Sequence, residues 1–313
     1  MQMPADYAAR YEALSVPSLD GGSDLAAGLH IDSYLLGVRS GGYDERVRVG
    51  QKIEKDLAIR RKADKSAKIA VRVNTPDGLQ EREFDSLNHK DADDQLWKLL
   101  SYPFVGKGSP EGIQTLLQLA AVDLPGSPPV VKPANFQSYC DKWLGLDCNG
   151  LVGNYLRHQY QNIDWWDIST TANKISPNNL ITDIWNGFDG AVRNAADEVD
   201  FNDLNLLVMV DKSGKTIPGG SAGPGHVMIS QPREVDFQVG LKKSLGVADD
   251  ATLPGIIVLE STAAKDEADG KNGVAKSVYA YVDYKPQKGV MTVRRGLNGT
   301  TLNVRIKGAK WNG

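Results

Sequence analysis

Three residues of types suited to nucleophilic catalysis occur in this chain in a suggestive order: Cys148, His226 and Glu260. Cys148 lies in Leu-Asp-Cys-Asn-Gly-Leu-Val-Gly-Asn-Tyr-Leu, residues 146–156, where a loop runs into what reads as a helix start. It is one of two cysteines, with Cys140, and by type alone it could be a buried hydrophobe, half of a disulfide, a metal ligand or a nucleophile. A nucleophilic cysteine must be a thiolate, and the unpaired N–H groups of a helix N-terminus stabilise that anion. Asn149 and Gly150 would present N–H groups where an oxyanion develops. A base must then take the thiol proton, and a third group must fix the base in one tautomer. His226 opens a strand straight after the Gly/Pro-rich run Ser221-Ala-Gly-Pro-Gly225, so it faces a cleft. Glu260 ends the apolar run Pro254-Gly-Ile-Ile-Val-Leu259, a position costly for a carboxylate unless it has a partner. An imidazole on the adjacent strand would be one.

Composition removes several other chemistries. Four histidines, at 30, 89, 158 and 226, lie far apart and no Cys-x-x-Cys or His-Glu-x-x-His occurs, so no metal site is expected. Two cysteines are too few for a disulfide framework; a single Cys140–Cys148 bridge would close a small loop and occupy the sulfur of interest. The net charge of −3, from 36 Lys+Arg against 39 Asp+Glu, gives no long-range attraction to nucleic acid or anionic lipid. No apolar run approaches the roughly 20 residues of a membrane span. The opening residues lack the basic and apolar regions of a secretory signal. No organic cofactor is implied.

The elements that must position these residues fall in two segments. Residues 1–122 read as a mixed α/β domain. It holds a hairpin from Lys68 to Val73 and back through Leu79 to Phe84 around Thr75-Pro-Asp-Gly78, and a helix over Asp91–Leu100. A firmer helix starts at Ser109, an N-cap followed by Pro110 and Glu111, with Ile113, Leu116, Leu117 and Ala120 in one stripe. Residues 123–134 carry four prolines and read as an extended linker or surface wrap. Residues 135–313 open with helices, Cys148 to about Gln161 and Ile181 to Val199. Six strand-like runs follow: Leu204–Val210, His226–Ser230, Ile256–Glu260, Ser277–Tyr284, Val290–Arg295 and Leu302–Lys307. Helices followed by consecutive strands predict an α+β unit with an antiparallel sheet.

The residues around the cysteine and the histidine carry a family resemblance. Asp147-Cys148-Asn149-Gly150-Leu151-Val152 resembles the Asp-Cys-Ser-Gly-Phe-Val signature of the NlpC/P60 cell-wall peptidases, of the papain-like superfamily, with Asn149 in place of serine. Gly225-His226-Val227-Met228-Ile229 resembles that family's Gly-His-Val-Gly-Ile, and the resemblance extends over residues 135 to 265. It implies a papain-like core, a nucleophile-bearing helix packed on an antiparallel sheet. In it Cys148 is the nucleophile, His226 the base and Glu260 the orienting residue, as in the carboxylate-using relatives. An aromatic upstream of the cysteine contributes to the family's oxyanion site, and Tyr139 is the candidate here. The stretch from Cys148 to His226 is longer than in compact members and contains Ile163-Asp-Trp-Trp-Asp167. Trp165 and Trp166 could shape a substrate groove or stack on sugar, with anchor packing the first expectation. Asp147 could meet a substrate amine or cap the helix. His158 is expected at the surface.

The activity so implied is cleavage of peptide bonds in bacterial peptidoglycan stem peptides, near a D-amino acid. With no signal on the chain, the bacterial or phage protein would be made in the cytoplasm and reach the wall by a signal-independent route. An antibacterial effector of that kind would have an immunity protein, and a delivery apparatus, as partners. The alternatives are a non-catalytic binding module on the same fold, and an acyltransferase or deamidase acting on protein or lipid.

Overall fold

The computed structural model describes residues 1–35, 42–63, 69–84, 98–123, 128–167, 174–195, 198–200, 202–219, 225–232, 255–262, 273–285, 288–295 and 300–311. The expected helix over Asp91–Leu100 lies mostly outside them, as does most of the loop leading to His226.

The N-terminal half is built from α1 (Pro4–Glu12), a two-stranded ladder of β1 (Leu14–Val16) and β2 (Ala26–Leu29), α2 (Tyr43–Ala63), the hairpin β3 (Ile69–Thr75) and β4 (Gly78–Phe84), and α3 (Pro110–Ala120). The turn chemistry acts as its residue types suggest. The Asp77 N–H donates to Thr75 Oγ1, and Gly78 takes φ +107. Ser109 Oγ caps α3 by accepting from the Gly112 N–H at 3.1 Å. The single apolar stripe expected of α3 understates its burial, because every residue from Pro110 to Ala120 is buried. Its polar face lies along the open edge of β3. There the Gln114 and Gln118 carboxamides bond the backbone of Asn74 and Arg72 and satisfy a strand edge that pairs with no further strand among the described residues.

The C-terminal half contributes α4 (Phe136–Trp143), α5 (Cys148–Tyr155), α6 (Ile181–Gly187) and strands β5 (Ala191–Arg193), β6 (Leu204–Met209), β7 (Val227–Ser230), β8 (Gly255–Thr262), β9 (Gly273–Lys285), β10 (Val290–Arg295) and β11 (Thr301–Ala309). The six strand-like runs all form strands. Each pairs antiparallel with the next from β6 to β11, and β11 returns to pair with β6, so the sheet closes into a six-stranded barrel. β5 adds to the far end of β11. The inward faces of these strands make a compact core that includes Leu207, Met228, Val258, Tyr279, Met291 and Val304.

α5 packs on the outside of the barrel, where Val227, Ile229 and Leu259 join Leu151 and Val152 in the larger core. That core does not break at the Pro-rich run. Tyr7 and Tyr11 of α1, Leu116 and Leu117 of α3, Tyr155 of α5 and Leu259 of β8 belong to one cluster, with Val131 of the run itself among them. The two segments expected as separate domains therefore share a core. Tyr7 lies edge-on to Tyr155 at 5.6 Å across the join.

Two helices differ from expectation. α5 gives way to a π turn at Leu156–Tyr160 instead of continuing as α-helix to Gln161. The helix expected over Ile181–Val199 stops at Gly187, because Phe188 turns extended (ψ 114) and buries its ring beside Tyr160 at 5.0 Å. Asn186 and Gly187 resist little at that point, being weak helix formers. Among the described residues no helix is long and apolar enough to cross a membrane.

Candidate active site

Cys148 is the first residue of α5, and the residue before it sets that helix in place. Asp147 is extended at φ −106 and ψ 174. Its Oδ1 accepts from the Gly150 N–H at 2.7 Å, and the Asn149 N–H is also directed at its carboxylate. Lys107 approaches from the other side, its Nζ 2.8 and 2.6 Å from the two carboxylate oxygens. Burial pushes the Asp147 carboxyl up, and Lys107 and the helix N–H groups only partly offset it. Asp147 is thus a buried cap with its own counter-ion, and its carboxylate is taken up by that work.

The cap also changes the oxyanion donors. Asn149 and Gly150 spend their N–H groups on Asp147, which leaves the Cys148 N–H as the amide of that turn not engaged by the cap. The Asn149 side chain has a different task. Its Oδ1 accepts from the Cys148 thiol at 3.4 Å and its Nδ2 donates to the Asn179 carbonyl at 2.8 Å, tying the helix tip to the 176–180 loop.

Close backbone approach makes the tip compact. An ideal Cβ on Gly150 would overlap the Gly106 carbonyl oxygen, so only glycine fits. Gly153 has a similar role against Pro177, whose Cα would lie 2.7 Å from a Cβ there. Its close neighbour is thus the 176–177 loop.

The imidazole of His226 meets Cys148 from the barrel rim. The two side chains are near enough to interact, and the His226 Nε2 lies 2.6 Å from Glu260 Oε2. Register explains the meeting. β7 pairs with β8 through Ile229↔Leu259 and Ser230↔Val258, which makes His226 a diagonal, same-face neighbour of Glu260. That face points into the barrel.

Glu260 is 1% exposed and is supported from below. Arg295 of β10 donates to its Oε1 at 3.0 Å, the Tyr279 hydroxyl of β9 lies 3.2 Å from Oε2, and Ser277 of β9 bonds both the carboxylate and Arg295. Burial pushes the Glu260 carboxyl up. The hydrogen bond and charge of His226 and then Arg295 outweigh it and hold the group below its ordinary value. Burial pushes His226 down, yet its bonds to Cys148 and Glu260 win and hold it at about 10. The arrangement therefore favours an imidazolium held between Cys148 and the Glu260 carboxylate, the order that a nucleophile, a base and an orienting acid require.

Both cysteines are free, and no bridge ties Cys148 to Cys140. Cys140 sits in α4, where burial pushes its thiol up to about 12. Tyr139 lies beside it, edge-on to Phe104 at 6.5 Å, with a buried hydroxyl that has no hydrogen-bond partner among the described residues. Tyr34, from the first segment, also neighbours Cys148: burial first, and then the charge of the cysteine, push its phenol up.

Trp165 and Trp166 make an edge-to-face pair at 5.1 Å, with the Trp165 Nε1 3.3 Å from Gln80. Trp165 is 6% exposed and anchors the segment after α5 to the β3–β4 hairpin, the packing role. It borders a cleft of about 530 Å3 with Thr75, Gln80, Glu111 and His158, away from Cys148. His158 is half-buried at the edge of that cleft. Its Nδ1 bonds the Ile163 carbonyl at 2.9 Å, and burial pushes its pKa down.

Arg295, Ser277, Tyr279, Lys107 and Tyr34 escape sequence reasoning because none carries a local signal. A strand-end arginine reads as surface, and Lys107 and Tyr34 lie far from the cysteine in the chain. Compared with known proteins, the chain matches no family model, and neither a curated relative nor a solved structure resembles it significantly.

Proposed function

We propose that this chain is a cysteine amidohydrolase of papain-like mechanism, acting on stem peptides of bacterial peptidoglycan. The observation that carries the mechanism is the contact chain Cys148–His226–Glu260, with the sulfur on a helix N-terminus and the carboxylate seated on a buried arginine. The substrate class rests on the likeness of Asp147–Val152 and Gly225–Ile229 to the NlpC/P60 motifs.

In this mechanism the thiolate attacks an amide carbonyl, and the Cys148 N–H, at the positive end of α5, meets the oxyanion. His226, protonated at rest, gives its proton to the leaving amine as the tetrahedral intermediate collapses to a thioester. A water then loses a proton to His226, attacks the thioester and releases the acid. Glu260 keeps the imidazole in one tautomer and stabilises its cationic form.

The decisive experiment is mass spectrometry of muropeptide digests. Wild type should yield shortened stem peptides and Cys148→Ala none; intact muropeptides after wild-type treatment would refute the substrate class. Transfer of an acyl group, or conversion of a side-chain amide to acid without chain cleavage, would place the same chemistry on another substrate. Delivery to the wall follows from that substrate. A periplasm-directed chain should lyse cells and the same chain kept in the cytoplasm should not, as expected of an injected antibacterial effector with an immunity partner. Equal toxicity in both compartments would oppose that role.

A further inference from the structure

The residue after the nucleophile is anchored at one point, and that anchor decides which of its atoms faces the sulfur. Asn149 Nδ2 donates to the Asn179 carbonyl at 2.8 Å, and Asn149 Oδ1 accepts from the Cys148 thiol at 3.4 Å. Asn179 is itself held in a closed turn. Its N–H donates to the Ser176 carbonyl at 2.9 Å, and its Oδ1 accepts from the Ser176 N–H at 2.5 Å. Both ends of the turn are fixed. Pro177 packs against Gly153 of α5, and the Ile181 N–H donates to the Pro218 carbonyl at 3.0 Å. A carbonyl only accepts, so the carboxamide must give Asn179 its amino group and leave its oxygen to Cys148. That oxygen distinguishes the two forms of the sulfur. A thiol has a hydrogen to give it, whereas a thiolate has only lone pairs and is repelled.

We propose that Asn149 is a positioning residue that restrains the nucleophile, favouring the thiol form of Cys148 for as long as the Asn179 carbonyl holds the carboxamide. The restraint works against the N-terminus of α5, which favours the thiolate. Ionisation sends the thiol proton to bulk water, since His226 already carries its own, and leaves the Asn149 oxygen beside a charge it cannot bond. Turning the carboxamide over would bring an N–H to the thiolate. It would also set oxygen against the Asn179 carbonyl, so the 176–180 turn must yield first. The conformation of that turn thereby sets the pH at which the sulfur becomes a nucleophile. The restraint concerns the sulfur and stands apart from the substrate assigned above.

The test is the pH midpoint of Cys148 alkylation by iodoacetamide, read by peptide mass spectrometry in the full chain. Among the described residues, the charged and titratable groups around that sulfur are His226 at the barrel rim, Glu260 with Arg295 behind it, Asp147 with Lys107, and Tyr34. None of these is altered in the variants. Asn149→Ala removes the acceptor, and its midpoint should fall by about half to one pH unit, the share of one hydrogen bond between neutral groups. Asn149→Asp keeps the shape and adds a negative charge, so its midpoint should rise by about one unit or more. Damage to the helix tip alone would move both variants the same way. The midpoint is read in place of the rate, because a more basic thiolate is also more nucleophilic.

Asn179→Ala tests the anchor. It removes the acceptor of the Ser176 N–H and loosens the turn, so the midpoint should fall as in Asn149→Ala, and the two changes together should add nothing further. On muropeptides the acid limb of kcat/KM should move with the midpoint, in the same direction and by the same amount. A midpoint that stays or rises in folded Asn149→Ala overturns the proposal. If that variant does not fold, the same result in Asn179→Ala overturns it. Midpoints that shift as expected in a chain that cleaves no muropeptide would sink the substrate assignment alone and still support the restraint.

Discussion

Replacing Glu260 by glutamine separates the structural and chemical work of the buried carboxylate. The amide is nearly isosteric and its oxygen can still accept from the imidazole, but the charge is gone. Arg295, 4% exposed, would then be a buried cation beside a neutral group. Breaking one side of a buried ion pair costs roughly 3–5 kcal/mol, a large part of the ~5–15 kcal/mol that holds a typical domain together. Chemically, Glu260→Gln loses the stabilisation of the imidazolium, and kcat/KM should fall about 100- to 10,000-fold. The double variant Glu260→Gln/Arg295→Met separates the two effects. Removing both charges should recover most of the stability and none of the activity.

The gap in stability between wild type and Glu260→Gln should also depend on pH. Glu260 is held below its ordinary 4.5, so its share is present above that value and is lost as pH falls through the folded-state value. His226 is raised from 6.5 to about 10, so its share is complete below 6.5 and drains away as pH rises towards 10. Urea titrations should therefore find the widest gap between about pH 4.5 and 6.5, narrowing in alkali. Activity within tenfold of wild type in Glu260→Gln, or activity regained in the double variant, would refute this account of the triad.

Two further outcomes test the surroundings of the sulfur. A thiol probe near pH 7 should label Cys148 well before Cys140, whose thiol burial pushes up to about 12; equal rates, or labelling of Cys140 first, would contradict the imidazolium–thiolate site and favour a buried, inert cysteine. Gly150→Ala should destabilise the chain by about 3 kcal/mol or more, because its methyl would overlap the backbone carbonyl oxygen of Gly106; an unchanged denaturation midpoint would sink the close-approach account of the helix tip.

How much of this was legible in the sequence follows from which interactions are local. The cap at Ser109, the turn at Thr75–Gly78 and the start of α5 at Cys148 depend on neighbours within four residues, and each stands where the residue types place it. The six strands were legible too, since alternation and apolar runs mark them. Their closure was not. Periodicity tells which face a side chain takes but not that β11 pairs with β6 and β10 at once. Local signals also misled. The apolar residues after Ile181 suggest a helix as far as Val199, yet Phe188 leaves the helix to bury its ring beside Tyr160, a distant choice that no propensity encodes. Tyr139 drew attention through proximity in sequence, and its ring packs edge-on against Phe104.

The site thus has two kinds of support, and they fail differently. One lies within the barrel, where β7, β8, β9 and β10 stack His226, Glu260, Ser277 and Arg295 on one inward face. The other lies across the join between the chain's halves, where glycines at 106, 145 and 150 let three stretches of backbone meet at the helix tip. Damage to the first should leave the sulfur in place with an idle base. Damage to the second should move the sulfur itself. The same join supplies the counter-ion of the cap: Lys107, from the first 122 residues, pairs with Asp147, and without it the helix that Cys148 begins would carry a buried, unpaired carboxylate at its start.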